Sequence, residues 1–183
     1  MKKDKKYYGD TRQNQFCAFC GCPTETEDHV PSKCFLDKPH PPQDLPVIPC
    51  CYKCNHDFSL DEEYVSCMID CMKAGTASPT LVEREKTCKS LLHNPKLQER
   101  ISSQIRDFGG VLLYDIEKER FEKVFRKLAF GHLAYENDTL VWDSPYSIDI
   151  QLLSEMSEFQ RDCFFTLIKG NYCQKCAVMA WIM

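Results

Sequence analysis

Two Cys-x-x-Cys pairs, separated by thirty residues, constrain the fold of this chain more than any other feature. The first pair is Cys17 and Cys20, and the second is Cys51 and Cys54. Two intervening residues let both sulfurs of a pair reach one metal ion, and two such pairs make a tetrahedral zinc site. Four thiolates leave no open position on the ion, so this zinc is expected to be structural. Cys50 is an alternative to Cys51 as the third ligand.

Cysteine usage also indicates the compartment. The chain has 183 residues and 13 cysteines, an odd number that a complete disulfide framework could not use. The basic N-terminal segment has no apolar run behind it, so we expect no secretory signal. No apolar run approaches the ~20 residues that span a bilayer, so we expect no membrane partner. These features favour a cytoplasmic protein whose paired cysteines bind metal.

The chain divides into three expected parts. Residues 1–15 form a basic flexible arm, residues 16–75 a zinc-bound module, and residues 76–183 an extension of mostly helical, partly mixed structure. The composition, 43% hydrophobic and 27% charged, is typical of a folded chain. The predicted class is α+β, with a few short strands in the extension.

Local signals place the secondary structure. Several prolines make 36–49 an irregular loop, with Val47 and Ile48 as a short strand. Ser59 and Glu62 form a capping-box pattern, which predicts a helix over 60–74 that stops at Gly75. In the extension we expect helices over 79–93, 95–107, 118–135 and 154–162, and strands over 111–116, 140–142, 148–150 and 164–168.

An Asp28-His29 dipeptide lies between the two cysteine pairs, and Asn55 follows the second pair directly. A hard divalent cation prefers oxygen ligands, which Asp28 and Asn55 can supply. A neutral imidazole beside it can take a proton from water. These groups are the parts needed for metal-assisted hydrolysis of a phosphodiester.

The order of these motifs resembles the HNH endonuclease family, which has the ββα-metal fold. It runs Cys-x-x-Cys, then Asp-His-Val-Pro-Ser, then Pro-x-Cys-x-x-Cys-Asn, then a helix, and it covers roughly residues 16–64. The resemblance is to bacterial HNH-type proteins. It implies an N-terminal HNH-like ββα-metal module, a bacterial or phage origin and a role in defence or DNA processing.

The resemblance also implies roles for individual residues. Asp28 corresponds to the first metal ligand, His29 to the general base, and Asn55 to the second metal ligand at the start of the helix. The catalytic metal is expected to be Mg²⁺ or Mn²⁺, and the substrate DNA. For His56 three roles stay open: a further ligand, a phosphate contact, or an exposed residue at the helix entry.

One position departs from the HNH pattern. The middle Asn, which orients the base, has no counterpart between His29 and Asn55. Gln43, Asp44 or a backbone carbonyl could orient the imidazole instead. The alternative to an endonuclease is therefore a catalytically inactive zinc module that binds nucleic acid or a partner protein.

Charge distribution bears on the partner. The chain has a net charge of −4, but residues 84–127 carry eleven basic and seven acidic side chains, a net +4. Phosphate contacts could come from this segment, or it could be an ordinary solvated helix face. Residues 76–183 could also bind a partner protein or a second copy. The basic residues expected on one helix are Arg120, Lys123, Arg126 and Lys127.

A further group of thiols lies outside the two pairs. Cys173 and Cys176 form a third Cys-x-x-Cys, with Cys163 ten residues before it. Cys173 and Cys176 could bind a second zinc together with further ligands. They could also form a redox pair, or be buried thiols without either role. The candidate further ligands are Cys163, Cys67, Cys71 and His132.

Overall fold

A computed structural model describes residues 12–36, 45–142 and 156–169, and it combines helices with two small antiparallel sheets. This agrees with the predicted α+β class. The helices are α1 (Tyr52–Ala74), α2 (Glu85–His93), α3 (Pro95–Ser103), α4 (Lys118–Asn137) and α5 (Glu158–Lys169). The strands are β1 (Thr26–His29), β2 (Val47–Cys50), β3 (Ile105–Phe108) and β4 (Val111–Tyr114).

Strands β1 and β2 form an antiparallel pair that leads directly into α1. Asp28 lies opposite Ile48 and His29 opposite Val47. The predicted strand at Val47 and Ile48 is confirmed, and all four β2 side chains are buried. The first part of the described chain therefore has the order strand, strand, helix.

Helix α1 begins eight residues earlier than the capping-box pattern predicted. Its N-cap is Cys51, whose sulfur accepts a hydrogen bond from the Cys54 backbone N–H. The Ser59 hydroxyl instead donates to the carbonyl of His56, one turn back within the helix. The predicted stop is confirmed, because Gly75 has a φ of 67° and its N–H bonds to the last turn.

The main hydrophobic core joins α1 to the later helices. Tyr64 of α1 is fully buried, and its ring meets that of Phe121 from α4 edge to face, with centroids 6.2 Å apart. The Tyr64 hydroxyl donates to Gln104 and accepts a hydrogen bond from the Glu117 backbone N–H, so this buried polar group is satisfied. The other fully buried large side chains of this core include Met68, Leu91, Ile101 and Val124.

Helix α4 approaches the β1–β2 sheet closely at Gly131. A Cβ at this position would lie 3.3 Å from Val30 Cγ2, closer than side chains ordinarily pack. Val30, Ile48 and Ala134 form a second buried cluster around this contact. The extension therefore packs against both the sheet and α1.

Several predicted elements of the extension are wrong. Helix α2 starts at Glu85 rather than at 79, and residues 105–108 are a strand that pairs with 111–114 rather than the end of a helix. Residues 140–142 are not a strand, and 164–168 belong to α5. The strand predicted at 148–150 lies outside the described residues, as does most of the arm at 1–15. Within the described part, no helix is long and apolar enough to cross a membrane.

Arg84 ties the segment after β1 to the helices. Its Nη2 donates to the carbonyls of Cys34 and Leu36 at 2.6 and 2.8 Å. Its Nη1 lies 3.3 Å from Asp70, which also accepts a 2.5 Å hydrogen bond from Thr87. Both charged side chains are at most 16% exposed, so these contacts replace lost hydration.

We expect Arg84→Met to lower the free energy of unfolding by about 2–4 kcal/mol, because it removes the positive charge paired with Asp70 and the donor of two carbonyls. Urea unfolding followed by circular dichroism measures this. Arg106→Met is the matched control, since Arg106 and Asp115 form an exposed pair. Its effect should stay below about 1 kcal/mol, and equal losses in both variants would contradict the anchoring role.

Candidate metal centre and active site

The four predicted zinc ligands converge. The sulfur atoms of Cys17, Cys20, Cys51 and Cys54 all lie within 4.8 Å of one another, and those of Cys20 and Cys51 are 3.7 Å apart. A tetrahedral zinc with bonds of about 2.3 Å needs sulfurs about 3.8 Å apart. The cluster could therefore hold a metal such as zinc, and Cys51, not Cys50, is its third thiol.

Local backbone geometry places these thiols. The first pair lies on a tight turn in which the Gly21 N–H donates to the Cys17 carbonyl, and Gly21 has a φ of 72° that favours glycine. The second pair lies at the start of α1. Because amide groups at a helix N-terminus favour negative charge, this position suits thiolates.

Cys50 is a neighbour of the cluster rather than a member. Its thiol hydrogen-bonds to Cys17, and this contact lowers the pKa of Cys17 to about 4. Partial loss of hydration raises the pKa of Cys20 to about 11, and burial raises the pKa of Cys54. A bound metal ion would remove this difference in pKa between Cys17 and the other thiols, because the ion binds thiolates and displaces their protons.

Asp28, the predicted first ligand of a catalytic metal, is buried in β1. Its Oδ1 accepts the backbone N–H of His29 at 2.9 Å. Its Oδ2 lies 2.7 Å from the Nζ of Lys127, which comes from α4. The same ammonium contacts Glu62 of α1 and lies 3.1 Å from the Ser32 hydroxyl. We call Asp28, Glu62, Ser32 and Lys127 the buried ion network.

The position of Lys127 corrects the sequence prediction. It was expected on an exposed helix face, either contacting phosphate or solvated, but only 3% of it is exposed. The helix period could have predicted this burial. Positions 124, 127, 131 and 134 recur at the spacing of one helix face, and all four are buried (Val124, Lys127, Gly131 and Ala134). Of the other basic residues on this helix, Arg120 and Lys123 both form ion pairs with Asp61.

Lys127 holds its proton. Burial alone would lower the pKa of this amine, but the charges of Asp28 and Glu62 and their hydrogen bonds outweigh it, so the pKa lies above its usual value. The contact between Ser32 and Lys127 therefore does not provide a serine nucleophile with a basic amine.

His29 is the last residue of β1 and is half-buried. Together with Asp28, Ser32 and Lys127 it lines a narrow cleft between the sheet and α4. The cleft has no room for a water molecule in this structure. Entry of water or of an ion into it would therefore require side chains to move.

Asn55 lies in the second predicted metal-ligand position, near the start of α1. Its Nδ2 donates to Thr26 Oγ1 at 3.2 Å and to the Glu27 carbonyl at 3.4 Å. These bonds connect α1 to the beginning of β1. Asp28 lies further along the same strand and contacts Lys127 instead, so the two predicted ligands have different partners. His56 is exposed and its ring stacks on Tyr52 at 6.0 Å, which favours the helix-entry interpretation.

The structure places the remaining candidates as follows. Cys67 and Cys71 lie in the main core, where burial raises the pKa of each thiol to about 12, so they stay protonated. His132 contacts Glu136 on the same helix, and Cys163 is exposed. Gln43, Asp44, Cys173 and Cys176 lie outside the described residues. Among the described residues, the four-cysteine cluster is the one place where three or more His, Cys, Asp or Glu side chains could bind a single metal ion.

Comparisons of this chain with protein-family models, with curated proteins and with solved structures found no match. The resemblance to HNH endonucleases therefore depends on the sequence motifs, and the roles it implies remain predictions.

We expect the purified protein to contain one zinc ion per chain and Cys54→Ser to lose it. Structural zinc sites contribute about 10–16 kcal/mol of apparent binding free energy in zinc-finger peptides, so the variant should also melt at a much lower temperature. Metal content by mass spectrometry and thermal unfolding with and without chelator measure both effects.

Cys50→Ala and Cys22→Ser are the matched controls, because both thiols adjoin the cluster without belonging to it. Each should retain one zinc. Loss of zinc in Cys50→Ala, combined with its retention in Cys51→Ala, would contradict the ligand set.

Proposed function

We propose that this chain is a metal-dependent endonuclease that hydrolyses DNA phosphodiester bonds. The observation that carries the proposal is the order of β1, β2 and α1 around a cluster of four cysteines. This arrangement puts the Asp28-His29 dipeptide at the end of one strand and Asn55 in the first turns of the following helix. It agrees with the ββα order that the sequence motifs predicted.

In this proposal His29 is the general base that activates water, and Asp28 and Asn55 hold a Mg²⁺ or Mn²⁺ ion. A carboxylate and an amide oxygen are suitable donors for such an ion. The ion would polarise the scissile phosphate and stabilise the leaving oxygen. The zinc would hold the cysteine turn against the helix and take no part in the reaction.

Access to Asp28 is the requirement that this mechanism must meet. The carboxylate is paired with Lys127, and the Asn55 amide nitrogen is bonded to Thr26 and Glu27. The Asp28 oxygen that contacts Lys127 would therefore become available to an ion only when that contact breaks.

The second candidate is a zinc module without catalytic activity that binds nucleic acid or a partner protein. The observation that favours it is the buried ion network, since an Asp28 held by Lys127 behaves as a structural group. In that case residues 76–183 would supply the binding surface. Both candidates need reduced cysteines, so we place the protein in the cytoplasm.

We expect the zinc-loaded protein to cut DNA with Mg²⁺ or Mn²⁺ and to stop when EDTA is added. His29→Ala should lower the rate at least about 100-fold, the usual contribution of a general base. Gel assays on single- and double-stranded DNA measure the rate, with zinc content checked in the same samples.

His93→Ala is the matched control, because His93 is an exposed histidine at the end of α2. It should cut at the parent rate. Cutting that persists in His29→Ala would contradict the assigned base, whereas the absence of cutting with zinc still bound would favour the non-catalytic module.

A further inference from the structure

An ammonium group lies where oxygens from three segments meet. Lys127 Nζ is 2.7 Å from Asp28 of β1 and 3.1 Å from Ser32 after β1, and it also contacts Glu62 of α1. The Ser32 hydroxyl donates to Glu62 at 2.5 Å. The Phe58 ring centroid lies 5.1 Å from Nζ. Oxygens from three segments therefore surround one buried cation.

The charge balance of this network favours a cation at its centre. Two carboxylates converge on one ammonium, and none of the three side chains is more than 13% exposed. Buried carboxylates need a nearby positive charge, and Lys127 of α4 supplies it. Lys127 lies 95 residues after Ser32 in the sequence, so the network joins distant segments. Whatever else binds Asp28 must replace that charge.

We propose that Lys127 is an autoinhibitory contact, whose ammonium holds the Asp28 carboxylate and must leave before a divalent ion can bind there. This inference rests on the proposed function, which gives Asp28 to the catalytic metal. The narrow cleft beside His29 agrees with it, because the cleft has no room for a water molecule and Lys127 is one of the residues that line it. The ion and the ammonium compete for the same oxygens.

Lys127→Met tests this competition directly. A methionine side chain matches the lysine stem but ends one atom short, so it removes Nζ and leaves the rest of the packing. We expect the zinc-loaded full chain with Lys127→Met to bind Mn²⁺ at least tenfold more tightly than the parent protein. Titration followed by electron paramagnetic resonance of free Mn²⁺ measures both affinities.

Lys123→Met is the matched control, because Lys123 lies one turn earlier on α4 and pairs with Asp61 at 2.6 Å outside the network. Its Mn²⁺ affinity should equal that of the parent. Lys127→Met combined with Asp28→Asn should lose most of the gain, which would locate the ion at the Asp28 carboxylate. Equal affinity in Lys127→Met and the parent would overturn the proposal.

A measurement on the parent protein covers the case in which Lys127→Met does not fold. Lys127 is almost fully buried and should resist an amine-reactive label in the absence of divalent ions. Saturating Mn²⁺ should raise its labelling at least tenfold by mass spectrometry, while labelling of the exposed Lys118 stays constant. Labelling of Lys127 that does not change with Mn²⁺ would overturn the proposal.

These readouts do not depend on DNA cleavage. If Mn²⁺ binding tightens in Lys127→Met but neither protein cuts DNA, the competition between Lys127 and the ion stands, and the nuclease proposal fails. If both cut DNA equally and Mn²⁺ affinity is unchanged, the nuclease proposal stands and the autoinhibitory contact fails.

Discussion

The convergence of four cysteine thiols is the constraint on which the described structure depends. It joins a turn at Cys17 and Cys20 to the first turn of α1, with the β1–β2 sheet formed by the chain between them. Cys51 caps the helix and belongs to the cluster, so the same residue sets where the helix begins and where the metal would lie. The orientation of Asp28 and His29 relative to α1 follows from this junction.

The buried ion network is the second junction, and it links the module to the extension. Lys127 crosses from α4 to Asp28 and Glu62, while Gly131 lets the same helix approach Val30. The extension thus contributes a charged group to the surroundings of a predicted catalytic residue. An enzyme and a non-catalytic module would differ chiefly in whether this lysine can leave.

Sequence patterns were most successful where a local rule decides the structure. The Cys-x-x-Cys spacing predicted the cluster, because two intervening residues bring the sulfurs of each pair together. Gly75 predicted the end of α1, and the helix expected over 118–135 was confirmed as α4. The patterns failed at the start of α1 and at β3, which was predicted as the end of a helix, whereas the strand predicted over 111–116 was confirmed as β4. At Ser59 a capping-box pattern was overridden, because the Cys51 junction had already started the helix.

The sequence by itself determined the α+β class, the presence of a four-cysteine cluster and the helix that became α4, because local spacing specifies which neighbouring groups can meet. Only the tertiary structure decided that Cys51 joins the cluster instead of Cys50, that Asn55 bonds to Thr26, and that Lys127 is buried against Asp28. The physical reason is that such contacts join distant segments. Helix packing and charge neutralisation in the core select them, and neither is visible in local spacing.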